Sequence, residues 1–229
     1  ILKQAEKEAQ VLIFDGGNND LSMIKPNLLV VVADPHRPGH EISYYPGFVN
    51  FLMADIIIIN KVDSAKKENI QIVENNIKKY NPKARVIHAR SEIIVDKPEL
   101  IKGKKCAIIG DGPTLSHGGM SFGAGTLAVK KYGGIIINPK PYVVGSIKDT
   151  FKKYEHLQSE IPAMGYNQHQ IKELEETINR IPCEVVVDGT PANLKRIIKM
   201  NKPIVNVNYE LDRRSVEELR KIMKKSRFI

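Results

Sequence analysis

Ala54-Asp55-Ile56-Ile57-Ile58-Ile59-Asn60-Lys61-Val62-Asp63 decides the fold. Four consecutive β-branched apolar residues predict a strand buried on both faces, which is what a parallel sheet covered by helices on both sides demands. The polar tetrapeptide Asn60-Lys61-Val62-Asp63 then falls at the strand's carboxyl end, in the crevice where such sheets bind ligands. There an Asp carboxylate accepts two hydrogen bonds from the N1 and N2 edge of guanine, a charge-assisted pairing that adenine does not offer. Asn60 is suited either to fixing the loop or to meeting the other edge of the base, and the stem of Lys61 to lying along a ring face.

The flanking sequence repeats the pattern. Ala65 to Tyr80 has helical periodicity at Ile70, Val73, Ile77 and Tyr80, and Asn81-Pro82 stops it. Strand Arg85-Val86-Ile87-His88 follows, and then Ala89-Arg90-Ser91, placed to close over a base through backbone amides, so Ser91 joins the candidate nucleotide site. Upstream, strand Leu28 to Ala33 ends in Asp34-Pro35-His36-Arg37-Pro38-Gly39-His40-Glu41. The prolines stiffen this loop and present two imidazoles and a guanidinium at a strand end. Such a cluster suits a phosphate or carboxylate, with Arg37 able to engage two oxygens at once. The same prolines forbid the helix that would make His36 and His40 a zinc pair.

Earlier still, an amphipathic helix over Ile1 to Ala9 leads to the apolar run Val11-Leu12-Ile13-Phe14, expected as a short buried strand, and to Asp15-Gly16-Gly17-Asn18-Asn19-Asp20. An Asp at the tip of a hydrophobic strand, followed by two glycines, is how nucleotide hydrolases hold the water shell of Mg²⁺ while backbone approaches a γ-phosphate. Asp15 is therefore the candidate metal and catalytic carboxylate. No G-x-x-x-x-G-K-[ST] occurs in the chain. With an opening helix that has neither Met nor N-cap, this leads us to expect a missing N-terminal half that carries the phosphate loop.

A linker at Asp96 to Gly103 introduces a second region. Strand Cys106 to Ile109 runs into residues 110–125, which hold six glycines with Thr114, Ser116 and His117 interleaved, before a helix at about Thr126 to Tyr132. Amides at that helix N-terminus are expected to receive a phosphate. Strands at Ile135 to Ile137, Glu184 to Val187 and Ile204 to Val207 alternate with helices at Ser146 to Tyr154, Asn167 to Arg180 and Ser215 to Lys225. The expected class is thus α/β: a doubly wound, mostly parallel sheet forming the later half of a P-loop-type nucleotide-binding domain at 1–103, then a small family-specific α/β domain at 104–229.

Composition narrows the function classes. Lys and Arg number 35 against 26 acidic residues, a net charge of +9, so the protein should attract polyanions. The absence of Trp, an aromatic content of 6% and the lack of any nucleic-acid module favour small phosphorylated ligands over nucleic acid. Abundant Lys and Ile also fit adaptation to heat. No apolar run approaches membrane-spanning length, and two cysteines opening strand-like runs, Cys106 and Cys183, fit free thiols in a reducing, cytoplasmic setting.

Asp15-Gly-Gly-Asn-Asn-Asp20, Asp34-Pro-His-Arg-Pro-Gly-His-Glu41, Ser43-Tyr-Tyr-Pro-Gly47, Asn60-Lys-Val-Asp63, Asp111-Gly-Pro-Thr-Leu-Ser-His-Gly-Gly-Met120 and Tyr142-Val-Val-Gly-Ser146 resemble cyclic 2,3-diphosphoglycerate synthetase and its archaeal and bacterial relatives, often described as P-loop GTPases. Those proteins are longer, and this chain resembles their C-terminal half. The resemblance implies a ligase that uses ATP and Mg²⁺ to close a phosphoanhydride within 2,3-diphosphoglycerate, making a thermoprotective solute of methanogens. It implies Asp15 for Mg²⁺; Asn60, Lys61, Asp63 and Ser91 for the nucleotide; and His36, Arg37 and His40 for phosphate. Thr114, Ser116, Gly118 and Gly119 would supply further anion contacts, with His117 a proton carrier. The Asn60-Lys61-Val62-Asp63 chemistry keeps GTP, and a regulatory or metallochaperone-like GTPase, as the rival. A third reading is a binding or homo-oligomerisation module that depends on the other half of the protein for chemistry.

Overall fold

The computed structural model describes residues 2–16, 20–116, 119–163, 167–192 and 194–225, which fall into two units: residues up to Glu92 together with those from Leu211 onward, and Ile93–Glu210.

In the first unit, α1 (Leu2–Glu8) precedes β1 (Val30–Ala33), α2 (His40–Ser43), α3 (Gly47–Met53), β2 (Ile56–Ile59), α4 (Lys67–Tyr80) and β3 (Arg85–His88). The strands form a parallel sheet in the order β1-β2-β3, with Ala33, Ile59 and His88 level at its carboxyl end. All four isoleucines of β2 are buried, and the period of two divides them between two cores. Ile57 and Ile59 pack with Phe51 of α3 and with Val73 and Ile77 of α4. Ile56 and Ile58 pack on the opposite face with Ile87, Leu219 and Ile222. Each such burial is worth roughly 1.5–3 kcal/mol relative to exposure, so this strand anchors the unit. Asn81 ends α4 and is buried because its Nδ2 donates to the carbonyls of Phe51 and Ala54, two groups that the end of α3 leaves unsatisfied.

The second unit holds β4 (Ser91–Val95) from Ile93 on, β5 (Lys105–Gly110), α5 (Gly112–Ser116), α6 (Ala124–Lys131), β6 (Ile135–Ile136), α7 (Gly145–Lys153), β7 (Glu160–Pro162), α8 (Gln168–Arg180), β8 (Val185–Gly189) and β9 (Ile204–Leu211) as far as Glu210. Its sheet runs β4-β9-β8-β5-β6, and β7 continues beyond β6 along the same flank of β5. The β5, β6, β7, β8 and β9 pairings are parallel. Ile109 and Val186 face a core with α7 and α8, whereas Ile108 and Val187 face α6. The chain leaves β5 toward β6 and β7 and then crosses to β8, so the strand order reverses at β5, the place where open α/β sheets bind ligands.

The α/β class and parallel sheets agree with the expectation; three details do not. Val11, Leu12, Ile13 and Phe14 form no strand and are 53, 48, 83 and 54% exposed. An apolar run becomes a strand only where a neighbouring edge completes its ladder, and none of the three parallel strands pairs with it. The division at 103/104 also differs. Segment 93–103 joins the second unit because β4 lies beside β9, while the terminal helix, α9 (Arg213–Lys225), belongs to the first unit, where Leu219 and Ile222 cover β2. Finally, β7 was not expected, since a fully buried Glu beside a Pro carries no strand pattern.

Cys106 and Cys183 are buried free thiols. Burial pushes the Cys106 thiol up to about 11 and raises that of Cys183. No helix among the described residues is long and apolar enough to cross a membrane.

Candidate functional site

The parallel register brings Asp34, Asn60 and Ala89 out together at the carboxyl ends of β1, β2 and β3. The turn after β2 is tight: Lys61 adopts φ 58°, in the left-handed region. Asn60 stabilises it by accepting the Lys61 amide at 2.8 Å, and the Val62 amide donates to the Ala89 carbonyl at 3.1 Å. Of the two roles open to Asn60, the structure shows the loop-fixing one. Lys61 Nζ lies 2.8 Å from Asp34 Oδ2, and Arg37 Nη2 lies 3.1 Å from that same oxygen.

Burial opposes the charge on Asp34, but the Lys61 hydrogen bond and charge, the His36 amide and Arg37 together hold its carboxyl below the usual range. The loop is thus pinned by its own carboxylate. His36 donates its amide to Asp34 Oδ1 and places Nε2 2.9 Å from Ser64 Oγ. Burial lowers its pKa, with Lys61 and Arg37 adding to that and Asp34 and Asp63 opposing it. A neutral imidazole at pH 7 follows, which offers a phosphate a hydrogen bond rather than a charge.

Asp63 Oδ1 accepts the Ser91 amide at 3.2 Å, so the motif after β2 and the loop after β3 meet. His40 does not join them. It begins α2, with its ring edge-on to Tyr44 at 5.0 Å, and its side chain shares no bond with the Asp34 cluster. Asp15 is exposed and stands at no strand end, because the run before it is not a strand. Among the described residues no three His, Cys, Asp or Glu side chains converge to hold a metal ion. Gly17 to Asn19 lie outside the described residues.

In the second unit, His117 and Gly118 lie outside the described residues. The remaining loop residues are committed internally. Thr114 donates its hydroxyl and its amide to Asp111 Oδ2 at 2.6 and 3.2 Å, which caps α5, and Ser116 donates to the Gly112 carbonyl at 2.6 Å. Gly119 has φ 66°, a backbone position favouring glycine. The amides of Gly123 and Thr126 at the N-terminus of α6, expected to receive a phosphate, donate instead to Glu160 Oε1 at 2.8 and 2.9 Å. A carboxylate of the chain takes the place assigned to a ligand. The helix end also presses on the sheet: a Cβ on Gly125 would fall 2.5 Å from Ile108 Cγ2.

Two buried acids escaped the sequence reading. Asp188, 2% exposed near the end of β8, accepts from the Thr190 amide and hydroxyl at 3.0 and 2.7 Å, yet burial pushes its carboxyl up. Glu160 is 0% exposed, and its only sequence signal is a charged residue immediately before Ile161-Pro162.

Residues 2–90 match the family model described as the P-loop domain of cyclic 2,3-diphosphoglycerate synthetase. Arginine synthetase ArcE of Thermococcus kodakarensis is 56% identical over 224 residues, which is 97% of this chain and 50% of that protein. Cyclic 2,3-diphosphoglycerate synthetase of Thermococcus sibiricus is 28% identical over 116 residues, 49% of this chain and 26% of that protein. The chain thus spans about half the length of the first relative. That share does not say which half is matched, and the expected C-terminal position is not supported by it. The P-loop match covers the sheet from whose strand ends Asp34, Asn60 and Asp63 emerge and stops one residue before Ser91, and residues 2–90 belong to the cyclic 2,3-diphosphoglycerate synthetase P-loop family.

Proposed function

We propose that this chain is part of a nucleotide-dependent ligase, with the nucleotide base received at the carboxyl ends of β2 and β3. The observation that supports this most is the meeting of Asp63 with the Ser91 amide, which joins two loops remote in sequence at a carboxylate. Asp63 and Ser91 would read the base, Asn60 would position the loop, and Lys61 and Arg37 would steer phosphate oxygens when an anion competes with Asp34. ATP or GTP would enter with Mg²⁺; since Asp15 is at no strand end, we assign that ion no protein ligand in this chain.

Of the substrates named for the relatives, arginine synthesis is favoured, because that likeness runs over 97% of the chain at 56% identity and so includes the whole second unit. The likeness of residues 2–90 to the P-loop domain of cyclic 2,3-diphosphoglycerate synthetase supports the second reading, a phosphoanhydride-forming ligase acting on 2,3-diphosphoglycerate. In either case binding energy must bring a nucleotide and a charged acceptor into register, which favours closed, water-poor sites over surface patches.

The test is nucleotide consumption by the full-length protein with Mg²⁺, coupled to detection of arginine in one series and of the cyclic diphosphate in the other. Consumption of nucleotide that depends on forming arginine is the expected result. Dependence on 2,3-diphosphoglycerate would replace the first reading by the second. GTP hydrolysis indifferent to either acceptor would overturn both in favour of a GTPase.

A further inference from the structure

Glu160 holds the inference. Its Oε1 is satisfied twice, by the Gly123 and Thr126 amides, but its Oε2 has no hydrogen-bond partner among the described residues although the side chain is fully buried. The hydroxyl of Thr126, in the first turn of α6 and 3% exposed, likewise has none among them. Buried polar atoms are satisfied in more than nine cases in ten, so two orphans on adjoining side chains mark a place where a ligand's donors belong. The surrounding backbone is shaped for it. The atom nearest to a Cβ built on Gly110 would be Glu160 Oε2 at 2.3 Å, and the same oxygen would lie 2.9 Å from a Cβ on Gly123. Glycine at both positions lets the backbone approach this oxygen, and a Cβ on Gly110 would also meet Leu115 Cδ1 at 2.6 Å.

We infer that Glu160 Oε2 and Thr126 Oγ1, at the N-terminus of α6 beside the end of β5, form a binding site for a small cationic N–H donor, an ammonium ion or the tip of a guanidinium. The charge decides the sign. The helix amides that would have bound an anion are already occupied by Oε1, and the oxygen left over is an acceptor on a carboxylate. Register separates Glu160 from the other buried acid: Glu160 pairs with Ile108 on the α6 face of β5, whereas Asp188 pairs with Ile109 on the α7 and α8 face. One carboxylate oxygen and one hydroxyl are too few for a divalent cation, which takes six or more oxygen ligands, but they match the directed donors of ammonium or guanidinium. The site stands on its own geometry. Its assignment to the nitrogen side of an arginine-forming reaction rests on the ligase reading above.

The test titrates the full-length protein calorimetrically, at fixed ionic strength, with ammonium chloride, with arginine, and with tetramethylammonium chloride, which carries the charge but no N–H. Glu160→Gln removes the charge; Gly123→Ala places a methyl group against Oε2 and leaves the carboxylate in place. Saturable binding of ammonium or of arginine, none of tetramethylammonium, and a loss of about tenfold or more in both variants is the expected result. Ammonium alone identifies a nitrogen donor; arginine alone identifies the guanidinium. No saturable binding, or binding unchanged in Gly123→Ala, overturns the site and leaves Oε2 to a water molecule. ATP titrated into the same samples separates the two claims: nucleotide bound without cation sinks this site alone, and cation bound without nucleotide sinks the ligase reading alone.

Discussion

Asp34→Asn removes the one charge that the Lys61 ammonium and the Arg37 guanidinium share. Both cations lie within 3.1 Å of a single oxygen, and their side chains are 31 and 30% exposed against 15% for the carboxylate. A charge-assisted hydrogen bond is worth roughly 1.5–3 kcal/mol, and partial exposure reduces each toward the surface value of under about 1 kcal/mol. With the mutual repulsion of the two cations added, the loss should be about 1–2 kcal/mol. The consequence is local, because the cluster ties the ends of β1 and β2 together, and native-state hydrogen exchange reads it there. The amides of Ile57 to Ile59 should exchange roughly 5–30 times faster in the variant. The sign with pH follows from the lowered pKa of Asp34: its contribution is present above the unfolded value near 4 and is lost as pH falls through the lower folded value. Wild type and variant should therefore converge in acid, once the pH has fallen through the lowered folded value. Equal exchange at pH 7, or a difference that persists undiminished in acid, would refute the assignment of Asp34 as the anchor of the loop.

Asn81→Ala leaves the buried carbonyls of Phe51 and Ala54 without their donor and should cost about 1–3 kcal/mol in urea denaturation, with no effect on the second unit. Asp188→Asn should act in the opposite direction. The raised folded pKa means that wild type is favoured when protonated and loses stability as pH rises through that value, so the variant should melt higher than wild type at pH 7 and the advantage should shrink toward pH 4. A variant that melts lower at neutral pH would show that the Thr190 hydrogen bonds, rather than desolvation, dominate there. Cys106, with its thiol pushed up to about 11 by burial, should resist iodoacetamide at pH 8 in the folded protein and react at once in denaturant; rapid labelling of the native chain would contradict the burial.

The strands at Ile56–Ile59 and Lys105–Gly110 were legible because a fully buried parallel strand needs an unbroken apolar run, and these have one or nearly so. Val11 to Phe14 has such a run as well and forms no strand. Hydrophobicity specifies that a segment can be buried, not that an edge is free to receive it. The fate of Glu160-Ile161-Pro162 was illegible for the converse reason. A charged residue and a proline argue against a strand, yet β7 pairs with β5 because the Gly123 and Thr126 amides compensate the burial of the carboxylate. Asp63 and Ser91 were found together because each motif follows its own strand and the register of β2 with β3 does the rest.

The two loops read as phosphate sites have one feature in common: each already holds a carboxylate of the chain. A glycine-rich turn before a helix and a cationic loop at a strand end both describe a place that holds negative charge; neither description says whose charge it is. At α6 the charge comes from Glu160, 37 residues beyond Gly123, and at β1 it comes from Asp34, whose partner Lys61 is 27 residues away. Such separations leave no local pattern, since the pairing exists only once the sheet has set the register. The two cases then diverge chemically. Asp34 has both of its oxygens engaged, so an incoming anion must compete for Lys61 and Arg37, and binding there is an exchange of one acceptor for another. Glu160 has one oxygen engaged and one open, so the site at α6 has already exchanged its sign: amides that once looked ready for a phosphate now hold a carboxylate ready for a cation.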